Sequence, residues 1–123
     1  MAQELLINAG VTFKGKGNLK PKSFPALQAL LDMAGTLYEC GAQTITQADE
    51  VAIEIGGISP TGVGLMVLIN TDPDNFVLYG QTGNLINKIS PGMFAIVESD
   101  GAGGPFAQAD TADVIIERYI FAA

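Results

Sequence analysis

Apolar and polar side chains alternate with a period of two along much of this chain, and that period predicts β-strands with one buried face. Leu5, Ile7, Ala9, Val11 and Phe13 alternate with Glu4, Asn8, Gly10, Thr12 and Lys14, which predicts one strand, and Gly15 to Lys22 reads as the loop after it. Val51, Ile53 and Ile55 alternate with Ala52 and Glu54, and Gly56-Gly57 ends that run. Val63 to Asn70 is apolar on both faces, the pattern of a strand covered on each side or pressed against a neighbouring subunit. Asn70 to Asn75 has turn composition, and Phe76 to Tyr79 is expected to return as the second arm of a hairpin. Pro91-Gly92 opens another strand, Met93 to Glu98, and the glycine-rich Asp100 to Pro105 reads as a surface loop before Phe106 to Ala109. In the last strand Val114, Ile116, Arg118 and Ile120 face one way, and Ile115, Glu117, Tyr119 and Phe121 the other.

Residues 25–34 are ambiguous. Leu27, Leu30, Leu31 and Ala34 fall at helical spacing between Pro25 and Gly35, which is correct helix punctuation. The same residues form a strand if Ala29, Leu31 and Met33 point inward. Short strands separated by turn residues every 8 to 12 positions predict an all-β fold. The expectation is an antiparallel β-sandwich, jelly-roll-like, as a single domain over residues 1–123, with 14–25 a basic loop or arm.

At 123 residues one domain is the natural count, and a core is within reach without disulfides, since Cys40 is the only cysteine. No apolar run approaches the roughly 20 residues of a membrane helix, and the opening MAQELLINAG lacks the basic start and apolar core of a signal peptide. A cytoplasmic site of synthesis is expected, with no membrane partner. The net charge is -7, but it is unevenly placed. Lys14, Lys16, Lys20 and Lys22 are four of the six basic residues, whereas residues 31 to 123 hold 12 acids against Lys88 and Arg118. An acidic body of this kind repels phosphate, so nucleic acid is not an expected partner. The four lysines read either as a solvated loop or as an arm that docks on an acidic partner.

Little is available for catalysis in a chain without histidine. A Ser-His triad is excluded, and general acid-base work would fall to carboxylates raised by burial. A glycosidase needs two carboxylates across a sugar, and Glu39, Glu54, Glu98 and Glu117 lie on expected strands, but nothing in their spacing fixes such a separation. Cys40, without a base beside it, reads as a buried small side chain. Asn70, Asp72 and Asp74 alternate like calcium-loop ligands, yet Pro73 and the missing later Glu favour a turn. Gly101, Gly103 and Gly104 lack the Lys-Ser/Thr of a phosphate loop. No catalytic residue, metal or cofactor is therefore expected.

Gln43 to Ile45, Glu50 to Ile53, Val63 to Asp72, Asn75 to Val77, Ile89 to Ala95, Ala107 to Ala112 and Val114 to Tyr119 together resemble a group of small structural proteins of tailed bacteriophages. Gln43-Thr44-Ile45 through Glu50 to Ile53 is similar to that group's QTI-like strand, acidic turn and short apolar strand. Val63 to Asp72 with Asn75-Phe76-Val77 resembles its apolar strand ending in an N-x-D-x-x-N-F/Y-V turn. Ile89 to Ala95 resembles its K-P-G-E strand start, and Ala107 to Ala112 with Val114 to Tyr119 its A-x-A-D-T-A and terminal strand. Asp32-Met33-Ala34-Gly35-Thr36 is similar to a D-M-x-G-T strand, which moves residues 27 to 34 from helix toward strand. Met93 stands where the group often has an acid, and the lysine segment has no counterpart in it.

The resemblance implies a virion component: a capsid decoration or cement protein, or alternatively a neck, fibre-base or other tail-associated protein. A carbohydrate-binding module shares the sandwich fold, but such modules usually expose aromatic rings, whereas this chain has no Trp and scattered Tyr38, Tyr79 and Tyr119. The expected partners are the major capsid protein or other virion proteins and further copies of the chain, with a trimer preferred. Lys14, Lys16, Lys20 and Lys22 are the expected partner-binding residues, together with Met66 and Leu68 on the second face of the Val63 to Asn70 strand.

Overall fold

The computed structural model describes residues 5–31, 37–99 and 104–122. The expected strand over Asp32 to Ala34 and the glycines at 101 and 103 lie outside the described residues. Contacts divide the chain into two compact units, Met1–Met33 and Ala34–Ala123.

The first unit is a pair of two-stranded ribbons. β1 (Leu5–Ala9) pairs antiparallel with β4 (Leu27–Leu31), from Leu5↔Leu31 to Ala9↔Leu27. β2 (Thr12–Phe13) pairs with β3 (Lys22–Ser23). The strand expected from Leu5 to Phe13 is thus broken at Gly10-Val11, and residues 27–31 take the strand rather than the helix. Ala29, expected to point inward, is exposed. Gln28 Nε2 donates to Asn8 Oδ1 (3.1 Å) across the ribbon. No described side chain of this unit is buried, so the ribbons rest on cross-strand pairing, and isolated two-stranded ribbons are marginal in water.

The second unit is an antiparallel sandwich of two four-stranded sheets. One sheet has the order β10 (Phe94–Glu98), β7 (Val63–Asn70), β12 (Val114–Ala122), β5 (Tyr38–Ile45). The other has β6 (Val51–Ala52), β11 (Phe106–Ala109), β8 (Val77–Gln81), β9 (Asn84–Ile89). The core lies between them, with Ile45, Met66, Leu68, Ile116 and Ile120 from the first sheet against Val77, Ile89, Ala107 and Ala109 from the second. No α-helix occurs among the described residues. The all-β sandwich expected from the period-two pattern is the fold observed.

Among the described strands of the sandwich, only β8 and β9 are neighbours both in sequence and in a sheet, and the other connections cross between the layers in the jelly-roll manner. β7 and β8 therefore do not form the expected hairpin. The Asn70–Asn75 segment carries the chain from one sheet to the other, because it is tied at both ends to a buried side chain. Asn70 is fully buried; its Nδ2 donates to the Asn75 carbonyl (2.8 Å) and the Ile89 carbonyl (3.1 Å), and its Oδ1 accepts from the Asp72 N–H (2.9 Å).

Candidate interaction surfaces

Four lysines concentrate positive charge on an otherwise acidic chain. Lys14, Lys16, Lys20 and Lys22 are all exposed and sit on the β2–β3 hairpin rather than in an unstructured loop. Its tip closes by reciprocal bonds between Lys16 and Leu19, with Gly17 at φ 58° in the position a two-residue turn reserves for glycine. Lys22 Nζ lies 5.1 Å from the Phe24 ring centroid. The ion pair among the described residues, Arg118 with Glu54, involves none of these lysines. The sequence reads this segment as a loop or arm, and the structure folds it as a hairpin.

Met66 and Leu68 are a correction. Both are buried inside the sandwich, at 0% and 1% exposure, where the second sheet of the same chain covers them. They offer no surface to a partner. The face of β7 that points away from the core carries Leu65, Val67 and Ile69 instead, and because both faces of the strand are apolar its sequence does not mark which one is inside.

Strand register extends that outer face across the whole sheet. Tyr38, Phe121, Leu65 and Glu98 form one cross-strand row; Cys40, Tyr119, Val67 and Ile96 form the next; Ala42, Glu117, Ile69 and Phe94 form a third. Four strands span ~14 Å between outer backbones, and the rows carry mostly apolar side chains, interrupted by Glu98 and Glu117, with Leu65 itself buried at 2% exposure. Tyr38 is 66% exposed and Phe94 57%, and the Tyr38 and Phe121 rings stack at 6.3 Å. Cys40, expected to be buried, is exposed, because even-numbered positions of β5 share the outward face with Tyr38.

The four carboxylates considered for catalysis do not converge as a set. Glu98 and Glu117 occupy different rows of the outer face. Glu39 Oε1 accepts from the Gly57 N–H (3.0 Å), and Glu54 Oε2 lies 3.4 Å from Arg118 Nη2. Gly56, at φ 59°, has no room for a Cβ beside the Glu39 side chain. Gly56→Ala is expected to lower stability by about 1–3 kcal/mol, and an unchanged thermal midpoint would show that Glu39 simply swings away.

Asp72 is a turn residue in the structure, as the sequence suggested. Its Oδ1 accepts from the N–H groups of Asp74 (2.8 Å) and Asn75 (2.7 Å), and those bonds hold its carboxyl below the usual carboxylate range. Because the folded-state pKa is depressed, this contribution to stability is present above the unfolded value of about 4 and is lost as pH falls through the folded one. No cluster of three or more metal-binding side chains occurs among the described residues. A cleft of about 480 Å³ opens at one end of the sandwich, lined by Met66, Tyr79, Gln81, Asn87, Val97 and Ser99 among others. Comparison with protein families, with curated proteins and with solved structures finds no match to this chain.

Proposed function

We propose that the chain is a structural component of a tailed-bacteriophage virion, a capsid decoration or cement protein that works by subunit contacts. The observation that carries this reading is the outer face of the β10-β7-β12-β5 sheet, where Tyr38, Phe94, Ile96, Ile115 and Tyr119 are each at least 38% exposed. Large apolar side chains exposed together on one sheet face mark a site of association. The motif resemblance supplies the setting, and the basic hairpin supplies a second surface opposite in sign to the acidic body. The partners under this reading are the major capsid protein and further copies of the chain, assembled as a trimer.

The test is binding to particles assembled without the protein. Changing Lys14, Lys16, Lys20 and Lys22 to Gln is expected to keep the fold, since all four are exposed, and to lower occupancy on particles. Wild-type binding should weaken between low and physiological salt, where the Debye length shrinks to about 8 Å, and the variant should show a flatter dependence. Identical affinity and salt dependence for both would remove the lysines from the contact. Failure of the wild type to bind any particle would overturn the virion reading.

A further inference from the structure

The apolar sheet ends in two open edges. In the order β10-β7-β12-β5, neither β5 on its far side nor β10 on its far side is paired with a strand of the described residues. β5 is eight residues long and β10 five, and neither contains Lys or Pro, residues that commonly protect edges from pairing. Each strand carries one charged side chain, Glu39 and Glu98. Glu39 is drawn back to Gly57 rather than projected along the edge.

Every neighbouring pair in the sheet is antiparallel, so with four strands β10 and β5 run in opposite senses. A β10 from a second copy, placed beside β5 by rotation about an axis along the strands, continues the antiparallel alternation. It also keeps the outward faces on one side. We infer that β5 of one copy pairs with β10 of the next, head to tail, and that the copies close into a ring with their apolar outer faces toward the axis. The inference rests on the trimer of the proposed function and supplies its contact.

Chemistry selects a register. Outward residues must meet outward residues, and pairing Phe94 with Ala42, Ile96 with Cys40 and Glu98 with Tyr38 sets a large ring over a small side chain and a carboxylate beside a phenol hydroxyl. No two acids then stand opposite. A two-fold pairing of β5 with itself leaves the β10 edge, with Phe94 57% and Ile96 40% exposed, uncovered. Head-to-tail closure covers both edges at once, and heterologous contacts that close make rings.

Cys40 makes the arrangement testable, because it is the only cysteine. In Ile96→Cys the new thiol faces Cys40 of the neighbouring copy, within the Cα separation of about 4.5–5.5 Å that directly opposed strand residues share and that a disulfide accepts. Mild oxidation is expected to give covalent dimers and closed trimers on a non-reducing gel, while the wild type gives monomers under denaturing conditions. Native mass of the wild type is expected at three times 12.8 kDa, and Ile96→Lys, an exposed substitution that circular dichroism should show to be folded, is expected to lose the trimer. Cross-linked dimers from wild-type Cys40 alone would overturn the inference in favour of two-fold pairing. A trimer that neither cross-links through Ile96→Cys nor responds to Ile96→Lys would overturn the β5–β10 contact and leave the proposed oligomer standing. A wild-type monomer at micromolar concentration would overturn both.

Discussion

Arg118→Met is expected to raise the stability of the isolated protein by about 1–4 kcal/mol, the range of stabilisation found when a buried ion pair gives way to well-packed apolar side chains. Arg118 is on the inward face of β12, between Ile116 and Ile120, with its side chain only 10% exposed. Its Nε and Nη1 atoms are buried without a hydrogen-bond partner among the described residues. Nη2 reaches Glu54 at 3.4 Å, a long contact to a carboxylate that is itself 64% exposed. Desolvation of the guanidinium is therefore poorly offset. Methionine has similar reach and adapts to irregular space. The measurement is urea unfolding, where a slope of ~1–2 kcal/mol/M puts the expected midpoint increase near 1 M. A fall in the midpoint would mean that the guanidinium holds this region together more strongly than its visible contacts account for. Glu54→Gln should change little, since its carboxylate is mostly solvated.

Asn70→Ala is expected to lower stability by about 3 kcal/mol or more, because one side chain serves three backbone groups and each buried group left unpaired costs about 1–3 kcal/mol. The two carbonyls it satisfies belong to different segments, the end of the crossing loop at Asn75 and the end of β9 at Ile89. Losing it loosens the loop and the β9 edge together, so amide exchange should accelerate at both places. Asn70→Asp keeps the acceptor for the Asp72 N–H but points a carboxylate oxygen at two carbonyl oxygens. That variant should be more stable in acid than at neutral pH, the reverse of the Asp72 contribution in the wild type. A variant of either kind with wild-type stability would show that the loop repacks around the loss.

The strands legible in the sequence are those that a period of two or an unbroken apolar run marks off between turn residues. β12 was readable to the residue, because Val114, Ile116 and Ile120 alternate with exposed Ile115, Glu117 and Tyr119 in the observed sense. β9 was missed, since Asn84-Leu85-Ile86-Asn87-Lys88-Ile89 has no clean period of two and Ile86 is 75% exposed. The β7 face assignment failed for a different reason: local pattern cannot say which of two apolar faces meets the second sheet. Its register with β12, a strand more than forty positions away, decides that. Cys40 followed the same rule, as its exposure comes from the phase of β5 and not from its residue type.

The place of β12 in the sheet has a consequence for how the protein is made. β12 lies between β5 and β7, bonded to both along nearly its whole length, yet it follows both in the chain. On the ribosome β5 emerges first and remains without its sheet partner until residues 114–122 have also cleared the exit tunnel. The sandwich therefore forms after synthesis of this segment rather than during it, and the nascent chain carries open strand edges for several seconds at ordinary elongation rates of about 5–20 residues per second. Non-local pairing of this kind also places refolding toward the millisecond-to-second range. A chain with this topology depends on low edge reactivity or on chaperone cover during those seconds.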